Sequence, residues 1–290
     1  MDAGIRHTLA AVPEGHVIHR LSSAITARFG HREVQVASPQ GRFAAASALL
    51  NGTELVSADA VGKHLLIDFE GGRTVWIHLG LIGKLWFVPV DGVVPHPATL
   101  RMRIADPTQA ADLRGPQWCR LIDPAERDAV VASAGPDPLR PGADPERAWK
   151  KVHASGRPIG VLLMDQKVFA GVGNIFRAEV LFRHGIDPLL PAKKLPRDIF
   201  DSVWADLVVL MAYAVKAGKI DTVAPAHMPE AMGRPPRVDA HGGEVYVYRR
   251  LGEPCWVCGT PVAGAALAGR NLYWCPSCQP AGSVGHEVEL

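Results

Sequence analysis

The sequence has no apolar run long enough to cross a membrane. Its longest, Leu207–Val215, is nine residues, against the roughly 18–20 that a spanning helix needs. Met1–Val12 lacks the continuous apolar stretch of a secretory signal and carries Asp2 and Arg6. There is no Walker-type phosphate loop, so ATP use has no support, and there is no internal repeat. Net charge is only +2, too small to name a partner. What remains is enough for packed domains: 290 residues, 48% hydrophobic and 21% charged, exclude wholesale disorder and suggest two domains with a small appendage. The expectation is a soluble, intracellular protein with no membrane partner.

Charge is unevenly placed. Arg147 to Lys219 holds twelve Lys/Arg against six Asp/Glu. A basic central segment on a near-neutral chain hints at a polyanion, although a solvated helical surface explains it equally well. Gln35–Val93 is largely strand-like. His64–Phe69 and Thr74–Leu79 flank the turn Glu70-Gly71-Gly72-Arg73, and Leu85–Val90, Thr99–Ile104 and Trp118–Ile122 are further short strands. Gly135–Gly142 is rich in turn residues. Asp144-Pro145-Glu146 then opens a helix, followed by helical stretches at Pro158–Met164, Asn174–His184 and Arg197–Ala217. Asp221–Gly243 has the composition of a mobile loop, Val245–Tyr248 that of a short strand, and the tail beyond Cys278 shows no core-forming pattern.

Cysteine usage is the sharpest local signal. Cys255-Trp256-Val257-Cys258 and Cys275-Pro276-Ser277-Cys278 present four thiolates on two turns. In an intracellular chain this spacing predicts one tetrahedral, structural Zn²⁺ site with a hairpin between the two turns and Arg270 at its tip. Cys119 is expected to be a buried structural thiol. His16 and His19 have no third ligand at helical spacing and are not expected to bind metal.

Three stretches carry a resemblance. Leu162-Leu163-Met164-Asp165-Gln166 running on to Gly171-Val172-Gly173-Asn174-Ile175-Phe176-Arg177 resembles the helix–two-turn–helix segment of the formamidopyrimidine-DNA glycosylase/endonuclease VIII family. The four-cysteine module with Gly269-Arg270-Asn271 looks like that family's zinc finger, and Val12-Pro13-Glu14-Gly15-His16 is similar to its catalytic start. The Pro-Glu-Gly start points to the endonuclease VIII branch, actinobacterial type. The resemblance spans about residues 13–279. It implies an α+β multidomain fold: an N-terminal β-sandwich, a helix–two-turn–helix domain and a C-terminal β-hairpin zinc finger. The expected division is an extension at 1–12, a catalytic β-sandwich at 13–130, a linker at 131–143, the helical domain at 144–248 with a mobile loop at 221–243, the zinc finger at 249–280 and a tail at 281–290.

The implied activity is that of a bifunctional DNA glycosylase/AP lyase in base excision repair. Pro13 matches the secondary amine that attacks C1′ to form a Schiff base, Glu14 the acid that protonates the ring oxygen, and Lys63 the hairpin lysine that holds a phosphate. Asn174 and Arg270 match phosphate-gripping residues, and Leu81 the wedge that fills the vacated stack. The implied partner is double-stranded DNA carrying oxidised bases or abasic sites, bound by a monomer in the bacterial cytoplasm at the nucleoid.

Two positions depart from the family pattern. Asp112-Leu113-Arg114-Gly115-Pro116 retains an arginine at Arg114 but lacks the aromatic residue that accompanies it in the purine-specific branch, which favours oxidised pyrimidines. Val17 replaces a second acidic residue. Moreover, Pro13 inside a peptide bond is a tertiary amide without a nucleophilic lone pair. The expectation is a start at Val12, read as a GUG codon and trimmed to expose Pro13, with proteolytic maturation or an extended, lyase-dead paralogue as the other readings. A non-catalytic damaged-DNA-binding paralogue and a purine-specific formamidopyrimidine/8-oxoguanine glycosylase are the alternatives.

Overall fold

The computed structural model describes residues 13–90, 97–238, 243–286 and 288–290. The expected extension at 1–12 and part of the expected loop, 239–242, lie outside the described residues. Chain contacts define two units, one of Pro13 and Val17–Ala132, the other of Glu14–His16 and Ser133–Leu290.

The first unit is built from α1 (Gly15–Phe29), β1 (Arg32–Ala37), α2 (Ala44–Leu50), β2 (Thr53–Val61), β3 (His64–Phe69), β4 (Arg73–His78), β5 (Lys84–Pro89), β6 (Leu100–Ala105), β7 (Gln109–Arg114), β8 (Trp118–Ile122) and α3 (Pro124–Ser133). The strands form one antiparallel sheet in the order β5-β7-β6-β1-β2-β3-β4-β8. β1 is shared: Arg32–Val34 pair with β2, while Gln35–Ala37 pair with β6. Each half of the sheet turns one face to a common core, where Leu55, Leu65, Ile67, Val75 and Ile77 from one side meet Met102, Ile104, Ala111 and Leu113 from the other. This is the sandwich implied by the resemblance. Gly71 and Gly72, both at φ +71°, make the β3–β4 turn that the sequence announces. α1, α2 and β7 were not expected. α1 had a legible signal, because Val17, Ile18, Leu21, Ile25 and Phe29 recur at helical spacing and are all buried.

The second unit contains α4 (Glu146–His153), α5 (Ile159–Leu162), α6 (Asn174–Arg183), α7 (Arg197–Ala217), α8 (Pro229–Met232), β9 (Ala263–Leu267) and β10 (Arg270–Trp274). The helix starts and stops follow local chemistry. Asp144 Oδ1 accepts the Glu146 N–H at 3.0 Å, and Gly218 closes α7 at φ +77°. The core runs from Phe169, Phe176 and Phe182 through Phe200 and Met211 to Tyr246 and the zinc-module cysteines. Each fully buried Phe or Leu contributes about 1.5–3 kcal/mol.

Three sequence expectations need correction here. Val245–Tyr248 is not a strand. The N–H groups of Tyr246, Val247 and Tyr248 donate to the buried Glu179 carboxylate at 2.6, 2.9 and 2.8 Å, so the backbone curls around one side chain instead of pairing with a neighbour. The tail does join the core: Val288 is buried, Gln279 Nε2 donates to Ile186 O at 2.8 Å, and Ser283 Oγ donates to Gly185 O at 2.6 Å. Arg270 is not at the hairpin tip. Ala268 and Gly269, at φ +48° and +75°, make the β9–β10 turn, and Arg270 opens β10 opposite Leu267. Within 221–243, the described residues include α8 and a helical turn at Pro225–His227.

Candidate catalytic and nucleic-acid-binding groups

In the second unit the organising feature is the start of α6. Gly171-Val172-Gly173 leads into Asn174 with its backbone open, and the Glu14 side chain fills that opening. Glu14 is 1% exposed. Its Oε1 accepts the Ile175 N–H at 2.8 Å and its Oε2 accepts from Phe176 at 3.5 Å. A helix start offers unpaired N–H groups and a favourable dipole to such an acid. Gly173 is required by packing, since a Cβ there would lie 2.1 Å from Glu14 Cδ. The next residue is seated in the same way: Gly15 N–H donates to Gly171 O at 2.8 Å, and a Cβ on Gly15 would lie 2.7 Å from Gly171 Cα. His16 follows, edge-on to Phe176 with ring centroids 5.6 Å apart. Thus Glu14-Gly15-His16 is docked on the α6 turn, and Pro13 is the residue immediately before it.

Asn174 and the Arg270 strand are brought together. Asn174 Nδ2 donates to Asn271 O at 3.0 Å, and Arg177, one turn along α6, donates Nη2 to the same carbonyl at 2.9 Å and to Asn174 Oδ1. Arg177 is 1% exposed. Burial lowers its pKa to about 10. The Glu14 carboxylate opposes that shift, and the Arg270 charge adds to it. Arg177 therefore stands electrostatically between the acid and the hairpin arginine. Sequence reasoning passed over Arg177 and Asn271, although both lie inside the quoted motifs.

The four cysteines gather at one point, with their Sγ atoms all within 4.8 Å of one another. Cys255–Cys278 are 3.9 Å apart, and Cys258 lies 3.5 Å from both Cys275 and Cys278. A tetrahedral ZnS4 centre with Zn–S near 2.3 Å has sulfur–sulfur edges of about 3.8 Å, so the donor set fits zinc. Gly259, at φ +74°, closes the first knuckle by donating its N–H to Cys255 O at 2.9 Å. Gln279 Oε1 accepts the Cys275 N–H at 3.0 Å and braces the second. With four protein sulfurs the metal has no open position, and its role is structural.

In the first unit, Lys63 occupies the two-residue turn Gly62-Lys63 that joins Val61 to its cross-strand partner His64. Two histidines stand beside it. Trp76 Nε1 donates to His64 Nδ1 at 3.0 Å, and the Gly80 N–H donates to His78 Nδ1 at 3.1 Å, so each neutral ring carries its proton on Nε2. Burial, reinforced by His78, lowers the pKa of His64 to about 4. Burial also lowers that of His78, with the Lys63 charge acting in the same direction and a hydrogen bond with Gln117 opposing. Leu81 sits in the β4–β5 loop at 55% exposure, and its neighbour Ile82, which sequence reasoning did not single out, is 78% exposed. A Cβ on Gly115 would lie 3.7 Å from Ile82 Cγ1, so the loop beginning at Arg114 packs against this tip. Arg114 itself donates to Thr99 Oγ1 at 2.5 Å, with its guanidinium 5.8 Å from the Trp86 ring. Cys119 is buried, which pushes its pKa up to about 12.

Comparisons with known proteins agree along the chain. The family model for the formamidopyrimidine-DNA glycosylase N-terminal domain matches residues 5–117. That for the H2TH domain of the same glycosylase matches 134–225, and that for the zinc finger found in FPG and IleRS matches 252–281. Endonuclease 8 1 of Mycobacterium tuberculosis is 48% identical over 274 residues, covering 92% of this chain and 100% of the relative. Probable endonuclease 8 2 of Streptomyces coelicolor is 34% identical over 254 residues, covering 81% of this chain and 85% of the relative. Among solved structures, a complex between Lactococcus lactis Fpg and an abasic site containing DNA superposes with a TM-score of 0.74 at 20% identity, over 92% of this chain and 99% of that one. The chain belongs to the formamidopyrimidine-DNA glycosylase/endonuclease VIII family of DNA glycosylases. Among the described residues, no helix is long and apolar enough to cross a membrane.

Proposed function

We propose that this protein excises oxidised pyrimidines from double-stranded DNA and then nicks the strand, acting as a monomer on chromosomal DNA in the cytoplasm. The observation that carries this reading is the Glu14 carboxylate, buried at the start of α6 and joined by one peptide bond to Pro13. In the reaction, the Pro13 nitrogen attacks C1′ of the damaged nucleotide and the glycosidic bond breaks with the base as leaving group. The Glu14 carboxylate takes the proton that the Pro13 nitrogen sheds and gives it to the ring oxygen as the sugar opens to an iminium, while the departing base takes its proton from solvent. The iminium then accepts the electrons released when a C2′ proton is lost. This expels the 3′ phosphate, a second elimination expels the 5′ phosphate, and a one-nucleotide gap remains.

Lys63 holds a phosphate from the first unit, and Asn174 and Arg270 do so from the second. Such contacts grip the backbone without reading sequence. Leu81 enters the stack as the damaged base leaves it. Arg114, held by Thr99 and Trp86 without the aromatic companion of the purine-specific branch, leaves the opposite base loosely probed. The same chemistry requires a free amine at Pro13, so the active form begins there.

The test is borohydride trapping on duplex DNA bearing an oxidised pyrimidine, comparing the chain as written with one that begins at Pro13. The expected result is a covalent adduct with the Pro13 form alone. Absence of an adduct from both forms, on oxidised bases and abasic sites alike, would leave a non-catalytic DNA binder. A strong preference for 8-oxoguanine opposite cytosine would move the substrate to the purine-specific class.

A further inference from the structure

The outer face of β3, β4 and β8 is a grid whose rows are fixed by register. His78 pairs with Trp118 in the row beside the Lys63 turn, and Leu66, Trp76 and Arg120 form the next row. Asp68, Thr74 and Ile122 form the third. Successive rows on one face are about 6.7 Å apart. Two arginines lie on this face and are held differently. Arg127, from α3, is neutralised internally: its Nε and Nη2 each donate to Asp68 at 2.9 Å, and Asp59 lies 3.7 Å away. Arg120 is exposed and, among the described residues, has no carboxylate partner. Two indoles hold it instead, with its guanidinium carbon 5.9 Å from the Trp76 ring and 5.8 Å from the Trp118 ring. Trp76 and Trp118 are themselves locked edge to face at 5.2 Å, and Trp118 stacks on His78 at 4.5 Å.

An arginine stacked on aromatic rings keeps all five N–H donors while losing much of its rotamer freedom, so it meets an anion at reduced entropic cost. Its row lies next to the row of His78, whose titration feels the Lys63 charge. Lys63 and Arg120 are thus two cations on one stretch of this face, separated by the neutral His78–Trp118 row. We propose that Arg120, preset by Trp76 and Trp118, is an additional DNA-backbone contact that extends the Lys63 grip by one step. This rests on the proposed function, in which Lys63 binds a phosphate.

The experiment measures the affinity of the Pro13-start chain for a short duplex carrying an abasic-site analogue, from 50 to 200 mM salt. It compares wild type, Arg120→Ala, Lys63→Ala and, as a control for losing one positive charge, Arg73→Ala at the far end of β4. Loss of one phosphate contact lowers the slope of log K against log salt by about 0.9. The wild-type advantage over Arg120→Ala should therefore shrink about 3.5-fold across that range, with an unchanged melting temperature. An Arg120→Ala slope equal to wild type would overturn the inference, as would a drop in melting temperature with the slope intact or an equal slope loss in Arg73→Ala. If Lys63→Ala loses its contact while Arg120→Ala does not, only this inference falls. If the wild type binds no DNA, the glycosylase reading falls with it.

Discussion

The start of α6 and the β4–β5 loop tip solve opposite problems. At α6, Glu14 and Arg177 are almost wholly removed from water, and each is held by backbone atoms that cannot swing away. At the loop tip, Leu81 and Ile82 are more than half exposed, and flanking glycines shape the turn. Gly80 takes φ +68°, and a Cβ on Gly83 would lie 2.2 Å from Leu79 O. In the proposed reaction Glu14 delivers a proton to one atom, and such a group gains from over-determination. In the same proposal the loop tip enters a base stack, and such a group has to be left in water until DNA arrives. The contrast predicts that substitutions at the first site are severe and specific, whereas those at the second leave the fold untouched.

The largest effect should come from Glu14. Glu14→Gln keeps an oxygen for the Ile175 N–H, so the fold and DNA affinity should hold while base removal falls by about 10²–10⁴, the usual contribution of a positioned acid. Single-turnover excision and a gel-shift titration read the two separately. Gly173→Ala attacks the same site from the other side. Its Cβ would occupy the space of Glu14 Cδ, so excision should fall comparably although Glu14 is still present. Normal excision by Gly173→Ala would mean that the buried seat is not the working position of the acid.

Next in size is Arg177→Ala. Removing a buried, hydrogen-bonded charge costs about 3–5 kcal/mol, because the Asn271 carbonyl and Asn174 Oδ1 each lose a donor. Denaturant unfolding should show this loss, and DNA binding should weaken through the displaced hairpin. A loss under about 1 kcal/mol would place Arg177 with ordinary surface arginines.

A smaller effect tests the first unit. The folded pKa of His64, about 4, lies below the ordinary 6.5, so the unfolded chain takes up this proton first. Stability from this group is complete above about pH 6.5 and is lost as pH falls towards 4. At full expression it amounts to about 3 kcal/mol. His64→Phe should flatten the unfolding free energy between those pH values. An unchanged slope would show that His64 titrates normally.

What the sequence revealed depended on distance along the chain. The zinc ligands, the α6 boundaries and the β3–β4 turn are set by neighbours a few residues away, and all were legible. Arg177 looked like any helical arginine, because the carbonyl that buries it lies on a hairpin 94 residues later. Val245–Tyr248 had strand composition, but its N–H groups found Glu179, more than 60 residues upstream. α1 is the counter-example. Its apolar spacing was local and readable, and the short β-prone segments that follow drew the whole region towards strand.

The smallest effect on stability, and the one that sharpens the contrast most, belongs to Leu81 and Ile82. Single changes to alanine remove side chains that touch mainly water, so unfolding free energy should move by no more than about 0.5 kcal/mol. If these side chains fill the gap left by the departing base, kcat/KM on an oxidised pyrimidine in duplex DNA should still fall about tenfold. Activity on an abasic site, where no base has to be extruded, should fall less. Leu81→Ala and Ile82→Ala measured side by side also show which of the two enters the stack. Equal losses on both substrates would instead make the tip a general DNA contact, and the division between a locked acid and a free wedge would fail at its second half.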